Sequence, residues 1–278
     1  MQWAIRGSVY VMTRPLVMGI LNLTPDSFSD GGLFLDPERA FAEAEKMIAE
    51  GADILDLGAE STRPGAAPVS AQEELKRLLP VLRKITARCK AVISIDTTKY
   101  EVAKVCLAEG AHIINDVSGL EVSGAAMGQL LAQTEAGLIL MHRRGTPQTM
   151  QGLTQYGDVT QDVVREIRER LLEARSFGVR DEQVVIDPGF GFAKEASQNF
   201  QLLKQLDALG EFKRPVLAGL SRKSFIGQAT GQKEAACRDF GTAAAIALAY
   251  ERGAQIFRVH QVRAARDVLN VCEAVFEK

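Results

Sequence analysis

The chain has 278 residues, of which 46% are hydrophobic and 24% charged, and its formal net charge is −2. This composition supports a large core and excludes global disorder, and the near-neutral charge excludes bulk attraction to nucleic acid or to an anionic membrane. The four cysteines form no CxxC pair and the three histidines have no metal-ligand spacing, which argues against a zinc site. Without an apolar run of signal-peptide length at the start, we expect a cytoplasmic protein with reduced thiols.

A short motif recurs along the chain and predicts repeated βα units. It consists of a charged residue, Gly, Ala and a short apolar run, as in the stretches that begin at Glu50, Glu109 and Arg252. Gly51 and Gly110 each follow a helix-like stretch, where glycine suits the left-handed conformation that ends a helix. The apolar run that follows is typical of a buried strand, so we predict a parallel sheet.

Eight apolar runs are predicted as strands, the number that closes a barrel. In chain order they are residues 17–21, 53–58, 92–96, 112–117, 137–142, 184–187, 216–220 and 256–260. Residues 2–12 are predicted to form a hairpin across the barrel bottom. A doubly wound open sheet is the alternative, but its Gly-rich phosphate fingerprint is missing near the first strand. We therefore predict one α/β domain over residues 1–278, a (β/α)8 TIM barrel with a short N-terminal β-hairpin.

Polar side chains follow almost every predicted strand. Because the carboxyl ends of barrel strands meet at one rim, these side chains are expected to converge. Arg258 and His260 share one face of the last strand by alternation. Since the loops after strands seven and eight commonly bind phosphate in barrels, Lys223, Arg258 and His260 are candidate anion ligands. The polar residues, in chain order, are Asn22, Glu60, Thr62, Arg63, Asp96, Asn115, Asp116, His142, Asp187, Ser221, Lys223, Ser224, Arg258 and His260.

Several of these residues also have a purely structural interpretation. An Asp at a strand end commonly caps the next helix, which we favour for Asp26, Asp36 and Asp116. A cap is less natural for Asp187, because Pro188 and Gly189 follow it and no helix begins at once. In the same loop we expect Phe190 to pack in the core and Phe192 to face the cleft. Asp187 is therefore the residue for which the pattern favours a functional role most strongly.

The motifs at the strand ends together resemble those of the dihydropteroate synthases, in order and over nearly the whole chain. They are NLTPDSFSDGG (22–32), ESTRPGA (60–66), SIDT (94–97), INDVSG (114–119), MHRRGTPQTMQ (141–151), DPGFGFAK (187–194), GLSRKSFIG (219–227) and GAQIFRVH (253–260). The resemblance implies a βα barrel and a transferase of folate biosynthesis. Such an enzyme condenses 6-hydroxymethyl-7,8-dihydropterin diphosphate with p-aminobenzoate to 7,8-dihydropteroate and diphosphate, assisted by Mg²⁺.

The resemblance also implies roles for individual residues, with Asp187 as the carboxylate that accepts two parallel hydrogen bonds from the pterin edge. The pterin set is Asp96, Asn115, Met141, Asp187, Phe192 and Lys223. The diphosphate set is Asn22, Thr62, Arg63, Arg258 and His260, with Asn22 also placing Mg²⁺. The p-aminobenzoate set is Phe28, Arg63, Pro64, Phe192, Lys223 and Ser224. Those implied to act in catalysis are Asn22, Thr62, Arg63, Lys223, Arg258 and His260.

No nucleophilic side chain is required, because an aromatic amine is already nucleophilic when neutral. We therefore predict no covalent enzyme intermediate and assign Ser221 no role. Gln261 stands where the family usually has Asp, and Arg143 and Arg144 stand where less basic residues are frequent. By alternation Gln261 faces away from Arg258, so the anion site is expected to survive.

Three other functions remain open from the residues. A pterin-dependent methyltransferase would share the pterin pocket but would not need the STRPG and SRKS loops. A non-catalytic pterin-binding paralogue would have lost the transfer step. A barrel for some phosphorylated metabolite would explain Lys223 and Arg258 but not Asp96, Asn115 and Asp187 together. The resemblance further implies a homodimer that is a sulfonamide target.

Overall fold

A computed structural model of the chain describes residues 1–24, 36–62 and 65–276. Two short strands, β1 (Gln2–Ile5) and β2 (Ser8–Val11), form an antiparallel hairpin. The parallel strands that follow are β3 (Leu16–Asn22), β4 (Ile54–Gly58), β5 (Val92–Asp96), β6 (Ile113–Asp116), β7 (Gly137–Met141), β8 (Val184–Asp187), β9 (Leu217–Ala218) and β10 (Ile256–Val259). They lie in the order β8-β7-β6-β5-β4-β3-β10-β9.

α-Helices alternate with these strands and cover the outside of the sheet. In the described part of the chain they are α1 (Pro37–Ala49), α2 (Ala71–Arg88), α3 (Tyr100–Ala108), α4 (Gly124–Thr134), α5 (Val159–Ser176), α6 (Ala196–Lys204), α7 (Ser224–Thr230), α8 (Asp239–Glu251) and α9 (Val262–Phe276). Each α-helix from α2 to α5 lies between two successive strands of the sheet. No helix of the described ranges is long and apolar enough to cross a membrane.

The sheet closes on itself through its two outermost strands. β9 pairs with β10 at two positions, whereas β8 reaches the other side of β9 through a single bridge between Ile186 and Val216. One backbone hydrogen bond, from Ile186 N to Pro215 O at 2.9 Å, supports this junction. The predicted eight-stranded barrel is therefore confirmed, with one thin seam between β8 and β9.

Local sequence signals account for the element boundaries. Asp36 caps α1 by accepting hydrogen bonds from the backbone of Glu38 and Arg39, as expected. Gly51 and Gly110 end their helices with φ of +100° and +101°. Most predicted strands match the structure within one residue at each end. The predicted strand 216–220 is shorter, because the backbone leaves the sheet after Ala218 towards a left-handed Arg222 at φ +59°.

The hairpin closes the bottom of the barrel, as predicted. Trp3 is fully buried there and donates its indole N–H to Gln183 O at 2.7 Å. It packs in a cluster with inward-facing side chains of the barrel strands, among them Met18, Ile54 and Ile139. Since this end is filled with apolar side chains, only the opposite end is open for polar chemistry.

Candidate active site

A cation joins two buried carboxylates at the open end of the barrel. Arg258, on β10, donates from Nε to Asp56 Oδ2 at 2.6 Å and from Nη2 to Asp96 Oδ2 at 2.8 Å. Asn115 donates from Nδ2 to the same oxygen of Asp56 at 3.2 Å. β4, β5 and β6 are neighbours in the sheet, which brings the two carboxylates and the amide to one side of the mouth.

This side of the mouth contains polar atoms that have no partner within the described residues. They are Asp56 Oδ1, Ser94 Oγ, Asp96 Oδ1 and Asn115 Oδ1. Three of these four atoms are hydrogen-bond acceptors only. Leaving such atoms buried and unpaired costs free energy, so their arrangement fits a ligand that presents several donors along one edge.

The charges of the site are shifted by burial. Burial raises the pKa of Asp96 to about 7, although Arg258 opposes this. Burial also raises the pKa of Asp187, although the Gly189 N–H and Lys223 oppose it. Burial lowers the pKa of Lys223 to about 8, which Asp187 counteracts. Such opposed shifts in one cleft are typical of a functional site.

Asp187 ends β8 and begins a tight turn. Its Oδ1 accepts the N–H of Gly189 at 2.7 Å, so one carboxylate oxygen is fixed by the turn itself. Gly189 has φ +69°, and a Cβ there would lie 2.0 Å from His142 O, so only glycine fits. Of the two aromatics in the turn, Phe190 is buried against Phe225, and Phe192 has its ring centroid 4.3 Å from Lys223 Nζ. Phe190 therefore packs in the core as predicted, whereas Phe192 is buried beside Lys223, and its role in the cleft stays a prediction.

Ser221 has a role that the sequence analysis did not assign. Its hydroxyl lies 2.9 Å from His260 Nδ1, and it accepts the backbone N–H of His260 at 3.2 Å. Arg222, the next residue, forms a two-pronged ion pair with Asp239 at 2.7 and 2.8 Å. Ser221 thus orients the predicted anion-binding histidine, and a serine at a strand end was too common a signal to reveal it.

The remaining predicted site residues lie at the same rim or outside the described ranges. Asn22 ends β3 opposite Gly58, Met141 ends β7 in a buried position, and Ser224 opens α7 at the surface. Thr62 is half-buried beside the first undescribed residue of its loop. The predictions for Asp26, Phe28, Arg63 and Pro64 fall outside the described residues. The described residues hold no group of three or more His, Cys, Asp or Glu side chains that could bind a metal.

Asp56 was missed by the sequence analysis although it is fully buried and touches both Arg258 and Asn115. Its strand, ILDLG, is typical of an apolar run, and candidate site residues are expected after a strand rather than inside it. The available signal was a carboxylate between Leu55 and Leu57, inside a strand covered on both faces. A charge in that position needs a partner, so it points to the barrel interior.

Of the two unusual arginines after β7, Arg144 has a structural role. Arg144 pairs with Glu166 and stacks on the ring of Tyr156, 3.8 Å from its centroid. Arg143 is buried, and burial lowers its pKa although Asp116 counteracts this. Asp116 accepts the N–H groups of Ser118 and Leu120 and so fixes the turn after β6. Its role is structural, but the predicted helix cap is wrong, because α4 begins later, after Ser123.

A partly buried ion cluster supports the loop after β4. Lys99 donates to Glu60 at 2.5 Å and to Glu74 at 2.7 Å, and Glu60 also accepts the N–H of Val69 at 2.8 Å. Gly65, on the same loop, donates its N–H to Pro147 O at 3.0 Å in the loop after β7. The loop that carries Thr62 is therefore attached at its base and at its far side.

Comparison with known proteins agrees with this geometry. The sequence profile of the family described as pterin binding enzymes matches residues 18–260. The chain is 46% identical over 263 residues to the dihydropteroate synthase of Synechocystis sp., an alignment that covers 95% of this chain and 91% of the relative. Its fold matches Xanthomonas albilineans dihydropteroate synthase solved with 4-aminobenzoic acid (TM-score 0.91, 42% identity, 99% and 98% of the two chains). It also matches the Yersinia pestis enzyme solved with a sulfonamide drug complex (TM-score 0.93, 39% identity, 100% of both chains).

Proposed function

This chain belongs to the dihydropteroate synthases of the pterin-binding enzyme family, and from that premise we propose how its residues divide the reaction between them. The reaction joins p-aminobenzoate to 6-hydroxymethyl-7,8-dihydropterin diphosphate and releases 7,8-dihydropteroate and diphosphate. The single observation that carries the proposal is the row of unpaired buried acceptors beside Arg258 at the barrel mouth.

The pterin ring is bound by the acceptor-rich side of the mouth. Its amino group and ring N–H groups supply the donors that the oxygens of Asp96 and Asn115 lack, with Asp56 as a further member of this set. The carboxylate of Asp187 accepts from the same edge of the ring. Lys223 donates to the acceptor side of the ring, and Met141 packs beneath it. A ligand without donors would leave several buried carboxylate oxygens unpaired, and this selects a pterin over an apolar ring.

The transfer step is a displacement at the methylene carbon. The amine nitrogen of p-aminobenzoate forms a bond to this carbon while the carbon–oxygen bond to diphosphate breaks, and the nitrogen then loses a proton to water. Arg258 and His260, with Asn22, Thr62 and Arg63, stabilise the negative charge that develops on the leaving diphosphate. On binding of the substrate, Arg258 is proposed to exchange part of its contact with Asp56 and Asp96 for the diphosphate.

Mg²⁺ is proposed to bind with the diphosphate, through Asn22. An amide oxygen is a suitable ligand for this hard ion, which commonly takes most of its ligands from phosphate oxygens and water. When bound, the ion would neutralise charge on the leaving group. The donor set fits, since Asn22 lies at the end of β3 on the same rim as Arg258.

p-Aminobenzoate is proposed to bind between the turn after β8 and the start of α7. Phe192 offers an apolar wall, Lys223 crosses over it, and Ser224 lies at the N-terminus of α7, close to where a carboxylate is favoured. Phe28, Arg63 and Pro64 complete this site. Because sulfonamides resemble p-aminobenzoate in shape and charge, we propose that this site also makes the protein a sulfonamide target.

We further propose that the protein is a cytoplasmic homodimer. The exposed face of α8 carries Phe240, Ala244 and Leu248, three apolar residues spaced by four along the helix. A helix that is apolar on its outer as well as its inner face is typical of a buried element. The neighbouring α9 exposes Val271 and Val275 beside it, which supports a second copy as the partner. The free cysteines suit a reducing compartment.

The first experiment measures dihydropteroate formation from both substrates with Mg²⁺, for the wild type and for Asp187→Asn. The amide replaces one acceptor oxygen by a donor, so we expect kcat/KM for the pterin substrate to fall by about 100-fold or more. Asp207→Asn, the same change at an exposed position, is the matched control. If Asp187→Asn has the same kcat/KM as the wild type, the proposed pterin site is contradicted.

A further inference from the structure

Lys194 is a buried lysine that none of the roles above uses. It lies in the segment between β8 and α6, and only 5% of its surface is exposed. Its Nζ lies 3.0 Å from Gly189 O, 3.1 Å from Phe192 O and 3.0 Å from His142 Nδ1. All three of these partners are uncharged groups. A buried cation held by neutral acceptors is costly, so its placement needs an explanation.

The charge state of this lysine follows from its neighbours. Burial raises the pKa of Glu166, but hydrogen bonds from His142 and Arg144 lower this pKa below its ordinary value. An ionised carboxylate only accepts, so His142 Nε2, 2.9 Å from Glu166 Oε2, must carry a proton. Burial and Lys194 lower the pKa of His142 to about 4, which leaves the ring neutral and Nδ1 an acceptor. Donation to all three partners at once requires the ammonium form of Lys194, because only that form has three protons.

Two of these three partners are carbonyl groups of the turn that follows Asp187. This turn places Gly189, Gly191 and Ala193 in the left-handed region, with φ of +69°, +80° and +49°. That conformation is costly for Ala193 and is retained only where surrounding contacts fix it. The ammonium group joins the beginning of the turn, at Gly189, to its end, at Phe192.

The same turn fixes two groups that face the substrates. Gly189 N holds one oxygen of the Asp187 carboxylate at 2.7 Å, and the ring of Phe192 lies below Lys223. The third partner, His142, is joined to β8 by its backbone N–H, which donates to the backbone carbonyl of Asp187 at 2.8 Å. Moving any of these carbonyls would therefore move the carboxylate or the ring.

We propose that Lys194 is a positioning residue for the reaction: its ammonium group sets the turn 187–193 so that Asp187 and Phe192 face their substrates. Glu166 favours the charged form of this lysine, and His142 offers it an acceptor in the same chain of hydrogen bonds. The inference rests on the pterin role proposed above for Asp187. It extends that role to residues that touch neither substrate.

The decisive test is a double-mutant cycle. The affinity for 6-hydroxymethyl-7,8-dihydropterin is measured by calorimetry for the wild type, Lys194→Met, Asp187→Asn and the double variant. We expect Lys194→Met to weaken binding by about tenfold or more, since displacing a binding group by about 1 Å has effects of that size. If Lys194 acts through Asp187, the double variant binds within about threefold of Asp187→Asn alone. Lys204→Met, an exposed lysine at the end of α6, is the matched control.

The outcomes separate the two proposals. Folded Lys194→Met that binds the pterin as the wild type does, or two losses that multiply in the double variant, overturns the positioning role. In either case a loss in Asp187→Asn alone leaves the proposed function intact. Wild-type affinity in Asp187→Asn overturns the pterin role of Asp187 and the positioning role with it.

A second variant serves if Lys194→Met does not fold. Glu166→Gln keeps an acceptor for His142 but removes a charge that favours the ammonium form. Burial lowers the pKa of Lys194 to about 7; Asp187 and Glu166 raise it, and Lys223 and Arg144 lower it. We expect Glu166→Gln to weaken pterin binding relative to the wild type more at pH 7 than at pH 6. The same ratio at both pH values contradicts the proposal.

Discussion

Buried polar residues at the barrel mouth lower the stability of the ligand-free fold while they provide groups for ligand binding. Asp96 is buried, only one of its oxygens has a partner among the described residues, and burial raises its pKa to about 7. A carboxylate with a raised pKa in the folded state binds its proton more tightly there than in the unfolded chain. Its contribution to stability is therefore complete below the unfolded pKa near 3.8 and is lost as the pH rises through about 7.

Asp96→Asn should remove this pH-dependent loss. We expect the melting temperature of the variant, relative to the wild type, to be higher at pH 8 than at pH 5, because the amide never ionises. The same variant should bind the pterin more weakly, since it replaces an acceptor oxygen by a donor. Thermal unfolding of both proteins without ligand at the two pH values is the measurement. A difference in melting temperature that does not change with pH would show that Asp96 is not strained in its charged form.

Ser221 provides the second prediction at this scale. Ser221→Ala removes the hydroxyl that lies 2.9 Å from His260 Nδ1, and with it one contact that fixes the orientation of the ring. We expect kcat/KM for the pterin diphosphate to fall by about tenfold, an effect typical of losing a residue that orients a ligand-binding histidine. Binding of the same pterin without diphosphate should stay unchanged, because His260 is assigned to the diphosphate. Equal losses for the two ligands would contradict that assignment.

The sequence predicted residues at strand ends more readily than residues inside strands. Asp96 and Asp187 each end a strand, so topology alone brings them to the rim. Asp56 lies inside its strand, between Leu55 and Leu57, so the sequence pattern there indicates only a buried apolar run. The contact between Lys194 and His142 joins residues 52 positions apart, and no local pattern indicates it.

At the scale of elements, helix and strand periods were sufficient to predict most boundaries. β5 and β8 match their predicted ranges, because short apolar runs bounded by turn residues are typical of buried strands. β9 is shorter than predicted, because hydrophobicity does not reveal where a backbone leaves the sheet. The turn 187–193 was expected as a Gly-rich loop, but its fixed shape depends on side chains from elsewhere.

The apolar outer face of α8 carries the prediction at the scale of elements. Leu248→Arg places a charge in the middle of the proposed dimer interface, and leaving a charge buried there is costly. We expect the dimer to dissociate at concentrations about tenfold or more above those needed for the wild type, as measured by analytical ultracentrifugation. Leu172→Arg is the matched control, because Leu172 is exposed to a similar extent on α5. A wild type that sediments as a monomer would refute the dimer itself.

At the scale of the whole molecule, the barrel was predictable because its units repeat. Helix, glycine and buried strand recur, and eight such strands leave few alternatives to a closed parallel sheet. The repeat does not predict the side-chain contacts at the rim, because these contacts join residues from units that are distant in the sequence. The relatives compared above are synthases, which favours that reaction over the methyltransferase considered from the residues.

The hairpin under the barrel gives the protein a built-in optical reporter. Trp3 is the one tryptophan of the chain and is fully buried at the end opposite to the rim. Its fluorescence should shift to longer wavelength only when the barrel floor opens to water. The rim end of the seam between β8 and β9 lies where Asp187 ends one strand and the backbone has left the sheet after Ala218. Such weakly joined regions open before the core. In a urea titration we expect activity to be lost before the emission shifts, and coincident curves would mean that floor and rim unfold as one unit.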